Sequence, residues 1–140
     1  MRLILNVIWL VLCGWWMWIL YLLSALICFI FFFLIITIPF GIAALRISMY
    51  VIWPFGRSVV WRREAGVAHI IGNVLWVIFI GWWLAIGHLT SGILLCLTII
   101  GIPLGLANFT MIPISLVPLG VMIVSSDEPY PGYRGAAPAY

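Results

Sequence analysis

The segment from Leu75 to Phe109 reads LWVIFIGWWLAIGHLTSGILLCLTIIGIPLGLANF. It contains one histidine, His88, one asparagine, Asn108, and no charged side chain. Its unbroken centre, Trp82 to Ile102, is long enough to cross a bilayer as a helix, since a hydrocarbon core of about 30 Å needs about 20 helical residues. Outside this segment the chain has the same character. Of its 140 residues, 67% are apolar and 6% are charged, and the mean hydropathy is +1.34. A soluble domain has about 25% charged and 45–50% apolar residues. Such a chain cannot furnish a water-facing surface, so the expected solvent is lipid and the expected class is an all-α membrane protein.

The few charges are informative by position. Arg57, Arg62 and Arg63 lie in one short polar stretch between two apolar blocks, and the formal net charge is +3. A handful of arginines cannot neutralise many phosphates, so the stretch reads as a loop and not as a nucleic-acid patch. Arg2 before an apolar run imitates a secretory leader. The run continues far past leader length and no small-residue cleavage site follows, so it is expected to be a retained membrane segment. Cys13, Cys28 and Cys96 all lie within apolar segments, where packing is the expected role rather than disulfide or metal chemistry.

An internal repeat organises the chain. NVIWLVLCGWW (residues 6–16) matches NVLWVIFIGWW (residues 73–83) at an offset of 67, and Ser24 recurs as Ser91. IITIPFGIA (residues 35–43) matches IIGIPLGLA (residues 99–107) at an offset of 64, as do Pro54–Gly56 and Pro118–Gly120. The second copy is therefore three residues shorter between its tryptophan pair and its proline. The repeats, with the G-W-W, His88, I-I-G-I-P and G-x-A-N-F elements of the opening segment, resemble the YccF family, a bacterial inner membrane component domain often present in two copies. The resemblance covers about residues 3–124 and implies a helical inner-membrane protein. It brings no biochemical activity and no functional residue with it.

Four regions follow: membrane repeat 1 (residues 1–60), a basic cytoplasmic loop (61–69), membrane repeat 2 (70–124) and a Pro/Tyr-rich cytoplasmic tail (125–140). Within each repeat a short apolar piece, Leu3–Cys13 or Ile70–Ile80, ends at a glycine and reads as a half-helix or interfacial entry. A full crossing follows, then I-P-x-G, a return limb and P-x-G. Arg2 and the Arg57–Arg63 cluster are expected on the cytoplasmic side under the positive-inside rule. Each repeat then crosses an even number of times. The simplest solution is two parallel transmembrane hairpins with Pro/Gly-broken helices, about four crossings, and both termini cytoplasmic. The return limb is short enough to thin the bilayer or to lie at the interface. Arg46 within it must snorkel to the interface, bond a carbonyl, or mark the limb as interfacial.

The candidate functional groups are polar residues inside the apolar segments. On a helix, His88 shares a face with Gly81, Leu84, Ala85, Ser91 and Gly92, a face of mostly small or polar residues suited to a helix–helix contact. Two readings fit: a proton- or ion-handling group, or a neutral imidazole bonded across a packed interface. Tyr21 holds the same place in repeat 1. Asn6 and Asn73 are interhelical glue or pore-lining amides, and Asn108, which replaces Ala44 of repeat 1, caps a helix or lines a cavity. Pro39, Gly41, Pro103 and Gly105 form matched helix breaks, either turns at a membrane face or the walls of a binding site.

Enzymatic chemistry is not expected. Glu64, Asp127 and Glu128 all lie outside the apolar segments, no metal-ligand spacing surrounds His69 or His88, and no phosphate or dinucleotide fingerprint appears. No cofactor or metal is implied, and the tryptophans read as an interfacial belt. The polar stripe and the breaks suit a small homo-oligomeric channel or transporter; the alternative is a non-transporting membrane subunit packed against other membrane proteins. The substrate or ion is unspecified. Residues 125–140 are expected to lie across a neighbouring chain through Tyr130, Tyr133 and Tyr140. Arg134 or the Asp127–Glu128 pair would meet opposite charge there, with Arg57, Arg62 and Arg63 of that neighbour as the partners for the acids.

Overall fold

A computed structural model describes residues 1–31, 35, 37–61 and 66–127. It is mostly helical. Each repeat consists of one long helix, a shorter helix and a short strand. In repeat 1, α1 (Arg2–Trp9) continues through a π-helical turn (Leu10–Gly14) into α2 (Trp15–Ile30), followed by α3 (Thr37–Ile52) and β1 (Arg57–Trp61). In repeat 2, α4 (Val67–Trp76) continues through Val77–Gly81 into α5 (Trp82–Cys96), followed by α6 (Ile102–Leu116) and β2 (Val121–Ser125).

The short leading pieces are therefore not half-helices. Arg2–Ile30 and Val67–Cys96 are continuous helices of 29 and 30 residues. Gly14 and Gly81 end nothing. A break at either position would free backbone groups that lipid cannot satisfy, whereas a single π turn keeps the helix bonded. The glycines are needed because an indole folds over each. A Cβ on Gly14 would lie 2.7 Å from Trp9 Cδ1, and one on Gly81 would lie 2.8 Å from Trp76 Cδ1. Each ring then donates from Nε1 to the returning helix, Trp9 to the Val51 carbonyl and Trp76 to the Ser115 carbonyl, both at 2.7 Å. These two tryptophans are fully buried. They are core residues and not part of an interfacial belt.

The long helices end at Ile30 and Cys96, earlier than expected, and the prolines begin the return helices. Pro39 and Pro103 sit in the first turn of α3 and α6, where a missing N–H breaks no helical bond. Gly41 and Gly105 are within those helices and mark close approach: a Cβ on Gly41 would meet the Phe29 ring, and one on Gly105 would meet Cys96 Sγ and the Gly92 carbonyl. The four residues called breaks are helix starts and packing contacts. At 16 and 15 residues, α3 and α6 extend about 24 and 23 Å, short of a core of about 30 Å.

The all-α expectation is corrected by a two-stranded antiparallel sheet, β1 against β2. Both strands follow the P-x-G tripeptides, whose Gly56 and Gly120 adopt φ of 103° and 95°, a conformation open to glycine. The segment expected as a loop from residue 61 to 69 thus holds the end of β1 and the start of α4. Arg62 and Arg63 lie outside the described residues, as do residues 128–140 of the tail with Tyr130, Tyr133, Arg134 and Tyr140.

The register centres on Val59 opposite Ile123, with Arg57 opposite Ser125 and Trp61 opposite Val121. Val59 and Ile123 are equivalent under the offset of 64. An antiparallel pair centred on equivalent residues is unchanged when the two repeats are exchanged, so the halves are related by a two-fold axis through the sheet. The exterior is unlike that of a water-soluble fold. Asn6, Asn108, His88, Ser24, Ser48, Ser91 and Ser115 are buried, while Phe79, Trp83, Leu97, Ile99 and Ile100 face outward. Only 28% and 17% of the most apolar stretches of the long helices are buried, whereas the core helix of a soluble domain would be mostly covered.

Candidate functional site: a buried polar cluster between the repeats

The same hydrogen bonds occur in both halves. Asn6 Nδ2 donates to the Phe55 carbonyl at 2.8 Å, and its Oδ1 accepts from the Phe55 N–H at 2.9 Å. Asn73 holds Leu119 in the same way at 3.1 Å in each direction. Each amide thus joins the start of a long helix to the residue just before a P-x-G glycine, and so aims the strand that follows. Ser24 and Ser91 return their hydroxyls to the carbonyls of Leu20 and Gly87 on their own helices. In a bilayer these bonds satisfy groups that have no other partner.

The exception to internal duplication is the centre. Tyr21 and His88, equivalent at the offset of 67, meet where α2 faces α5, with Tyr21 Oη 3.2 Å from His88 Nε2. His88 Nδ1 lies 3.0 Å from Asn108 Oδ1. The Asn108 amide nitrogen points to the Leu104 carbonyl at 3.4 Å and to Cys13 Sγ at 3.5 Å. This arrangement assigns the protons. With its Nδ2 directed to a carbonyl, Asn108 presents an oxygen to His88, so Nδ1 carries the hydrogen and Nε2 accepts from the tyrosine hydroxyl. Tyr21, His88 and Asn108 have no exposed surface. The cluster is a neutral chain of hydrogen bonds sealed between the repeats, with each imidazole nitrogen occupied.

The sequence-derived candidates therefore separate. His88 and Asn108 converge on one site, together with Tyr21 and Cys13. Asn6 and Asn73 act at the sheet end. Ser91 bonds its own helix, and Arg46 Nη2 lies 3.5 Å from the Pro118 carbonyl. Arg57 Nη1 donates to the Met49 carbonyl at 2.6 Å. Among the described residues no group of three His, Cys, Asp or Glu side chains could hold a metal ion. Asp127 pairs with Arg2 of its own chain at 2.8 Å. Two contacts escaped sequence reading. Tyr21 and His88 were aligned by the repeat, but alignment does not say that equivalent residues touch; that requires them to lie beside the two-fold axis. The Cys13–Asn108 contact has no counterpart, because Ile80 and Ala44 stand at the equivalent positions.

The comparisons with known proteins agree with this architecture. The profile of the YccF family, described as an inner membrane component domain, matches residues 4–57 and 71–121. The chain is 34% identical over 136 residues to inner membrane protein YccF of Escherichia coli (strain K12), covering 91% of this chain and 90% of that protein. The Shigella flexneri protein of the same name gives the same identity and coverage. No solved structure matches. Two profile segments, one on each helical repeat, and a relative matched over nearly its whole length assign the chain to the YccF family of inner membrane component domains.

Proposed function

We propose that this inner-membrane protein is a non-transporting subunit: a rigid pair of helical hairpins that acts by packing against other membrane proteins. The observation that carries the reading is His88, the histidine at the centre of the cluster between the repeats. Both of its ring nitrogens are bonded within the chain and its exposure is 0%. A group that passes protons or ions needs a wet path on each side, and this one has protein on every side. A homo-oligomeric channel, the competing reading, would instead require polar side chains on the outer faces that copies could turn toward a shared axis. Apart from Arg46, Thr90 and Thr110, the exposed side chains of α2, α3, α5 and α6 are apolar. The protein has no expected catalytic role.

In the topology that goes with this reading, two parallel hairpins cross four times. The sheet, both termini and the Arg57–His69 segment are cytoplasmic. Support comes from charge: Arg2, Arg57 and Asp127 lie at the sheet end, while the sequence between α2 and α3 and between α5 and α6 holds no charged residue. The decisive experiment reconstitutes the purified protein into liposomes, measures proton and potassium flux, and determines its stoichiometry in lipid by native mass spectrometry. The expected result is flux equal to protein-free liposomes and no closed ring of identical copies. A ring of copies with flux that changes in His88→Gln would replace this reading with the channel.

A further inference from the structure

The four limbs enter the bilayer from the cytoplasmic face, and the turns that join them lie opposite the sheet. We propose that both turns end among the acyl chains of the far leaflet, so that lipid covers them and neither emerges into water. This depth rests on the membrane topology proposed above and is independent of whether the protein transports anything.

The surface of the turns is apolar. Residues 97–101 read LTIIG, and residues 31–36 read FFFLII. Ile35 and Ile99, equivalent under the offset of 64, are 74% and 88% exposed, with Leu97 at 77% and Ile100 at 79%. Turns that face water are built mainly from Gly, Pro, Asn, Asp and Ser. The sheet end of this chain follows that rule, with Arg57, Ser58, Ser126 and Asp127 around the Gly56 turn. At the far end the apolar surface instead continues that of α5, where Ile93 and Leu94 are exposed as well. The lipid that covers the helix thus meets no polar rim before the turn.

The backbone of the turns is bonded from within. Thr98 donates its hydroxyl to the Leu95 carbonyl at 2.8 Å, and the same oxygen accepts from the Gly101 N–H at 3.1 Å. The N–H groups of Leu97 and Thr98 bond to the carbonyls of Ile93 and Leu95, and the Gly101 carbonyl accepts from Gly105. In the first hairpin Thr37 donates its hydroxyl to the Phe31 carbonyl at 2.8 Å. The two threonines are not repeat equivalents, since Leu34 and Gly101 stand at the matching positions. Each hairpin therefore carries a hydroxyl of its own for this purpose. Water would satisfy these peptide groups unaided, whereas hydrocarbon cannot.

The hairpins also lean. Phe40, in the first turn of α3, packs on Trp76 with ring centroids 5.8 Å apart and lies against Gly72. Both partners belong to α4, which Asn73 ties to Leu119 at the sheet end. Asn108 of α6 likewise reaches Cys13 in the π turn of the first long helix. The start of each return limb thus sits beside the sheet-proximal part of the other repeat, and the long helices cross at the Tyr21–His88 contact. Upright, 29 residues would rise about 43 Å. Leaning across each other, the same helices carry their turns to a smaller depth. Thr37 precedes Phe40 by one helical turn, which adds only about 5 Å along α3.

Depth is tested by spin labelling in liposomes, using single cysteines in a background lacking Cys13, Cys28 and Cys96. A nitroxide at Ile99→Cys is compared with one at Leu94→Cys, on the lipid-facing surface, and one at Gly66→Cys, at the sheet end. Collisions are measured with oxygen, which partitions into hydrocarbon, and with a neutral nickel chelate kept on both sides of the membrane. Position 99 is expected to match position 94 toward oxygen and to be about tenfold less accessible to the chelate than position 66. Chelate accessibility equal to that of position 66 would overturn the proposal. Shielding from both reagents would overturn it too, because protein and not lipid would then cover the turn. An inverted orientation leaves these ratios unchanged and is detected separately by an impermeant maleimide at position 66. If Ile99→Cys does not fold, Ile100→Cys replaces it with the same expectation. Thr98 provides a second readout. Thr98→Val is expected to lower the melting temperature in liposomes by about 4 °C or more, and Thr98→Ser by no more than about 1 °C. A Thr98→Val protein that melts with the unsubstituted one would show water at the turn and overturn the proposal as well.

Discussion

Tyr21, His88 and Asn108 form a chain in which each member satisfies the next, so the cost of a substitution depends on which partner it orphans. His88→Gln retains one donor and one acceptor. His88→Leu takes the imidazole from both the Tyr21 hydroxyl and the Asn108 oxygen, leaving the oxygen only the weak Cys13 thiol, at a cost of about 1–3 kcal/mol. Adding Tyr21→Phe to His88→Leu removes one orphan and is expected to recover part of that loss. Reversible unfolding in mixed micelles measures all four corners of the cycle; strictly additive losses would show that the two residues are uncoupled. The asparagines supply a second comparison at this scale. Asn6→Ala releases both the N–H and the carbonyl of Phe55, whereas Ser24→Ala releases a bond within one helix. The expected loss is about 2 kcal/mol for the asparagine and under about 0.5 kcal/mol for the serine.

Glycine has two distinct uses at the level of the helices. At Gly14 and Gly81 it makes room for an indole over a π turn, and at Gly41 and Gly105 it lets the two limbs of each hairpin close. The neighbours at the second pair differ in what they can yield. A Cβ at Gly41 meets the Phe29 ring at 2.8 Å, and a ring can be removed. A Cβ at Gly105 meets the Gly92 carbonyl at 2.7 Å as well as the Cys96 sulfur. Gly41→Ala is therefore expected to cost about 1–3 kcal/mol and to be largely relieved by Phe29→Ala, while Cys96→Ala leaves Gly105→Ala unrelieved because the backbone remains. Melting temperatures of the four variants in detergent test this; equal relief at both sites would refute it.

The whole molecule is two copies of one hairpin joined at the sheet and at the Tyr21–His88 contact. Its proposed topology is checked with single cysteines in a background lacking Cys13, Cys28 and Cys96. A cysteine at Gly66, an exposed position at the sheet end, is expected to resist a membrane-impermeant maleimide added to intact cells and to react after lysis. A cysteine at Ile99, 88% exposed at the opposite turn, is not expected to react from the cytoplasmic side. Labelling of position 66 from outside would invert the orientation. Labelling of both positions from one side would reduce the hairpins to interfacial structures.

Composition and repetition determined a good part of this. Nine charged residues in 140 leave lipid as the solvent, and the recurring N-x-x-W and I-P-x-G elements mark two helical hairpins, because bilayer thickness and the bonding needs of a backbone in lipid permit little else. The repeat even paired Tyr21 with His88 by number. What it could not specify is how the copies face one another. Equivalent residues touch only beside the two-fold axis, and the position of that axis is set by packing across the whole interface. The strands were missed for a related reason. RSVVW and VMIVS are five residues each and carry no periodic signal strong enough to separate a strand from a helix end. Their structure comes from being brought together by the Asn6 and Asn73 clamps. The glycines and prolines show the same division: sequence marks where the backbone needs unusual freedom, and only tertiary contact decides whether that freedom serves a break, a π turn or a close approach.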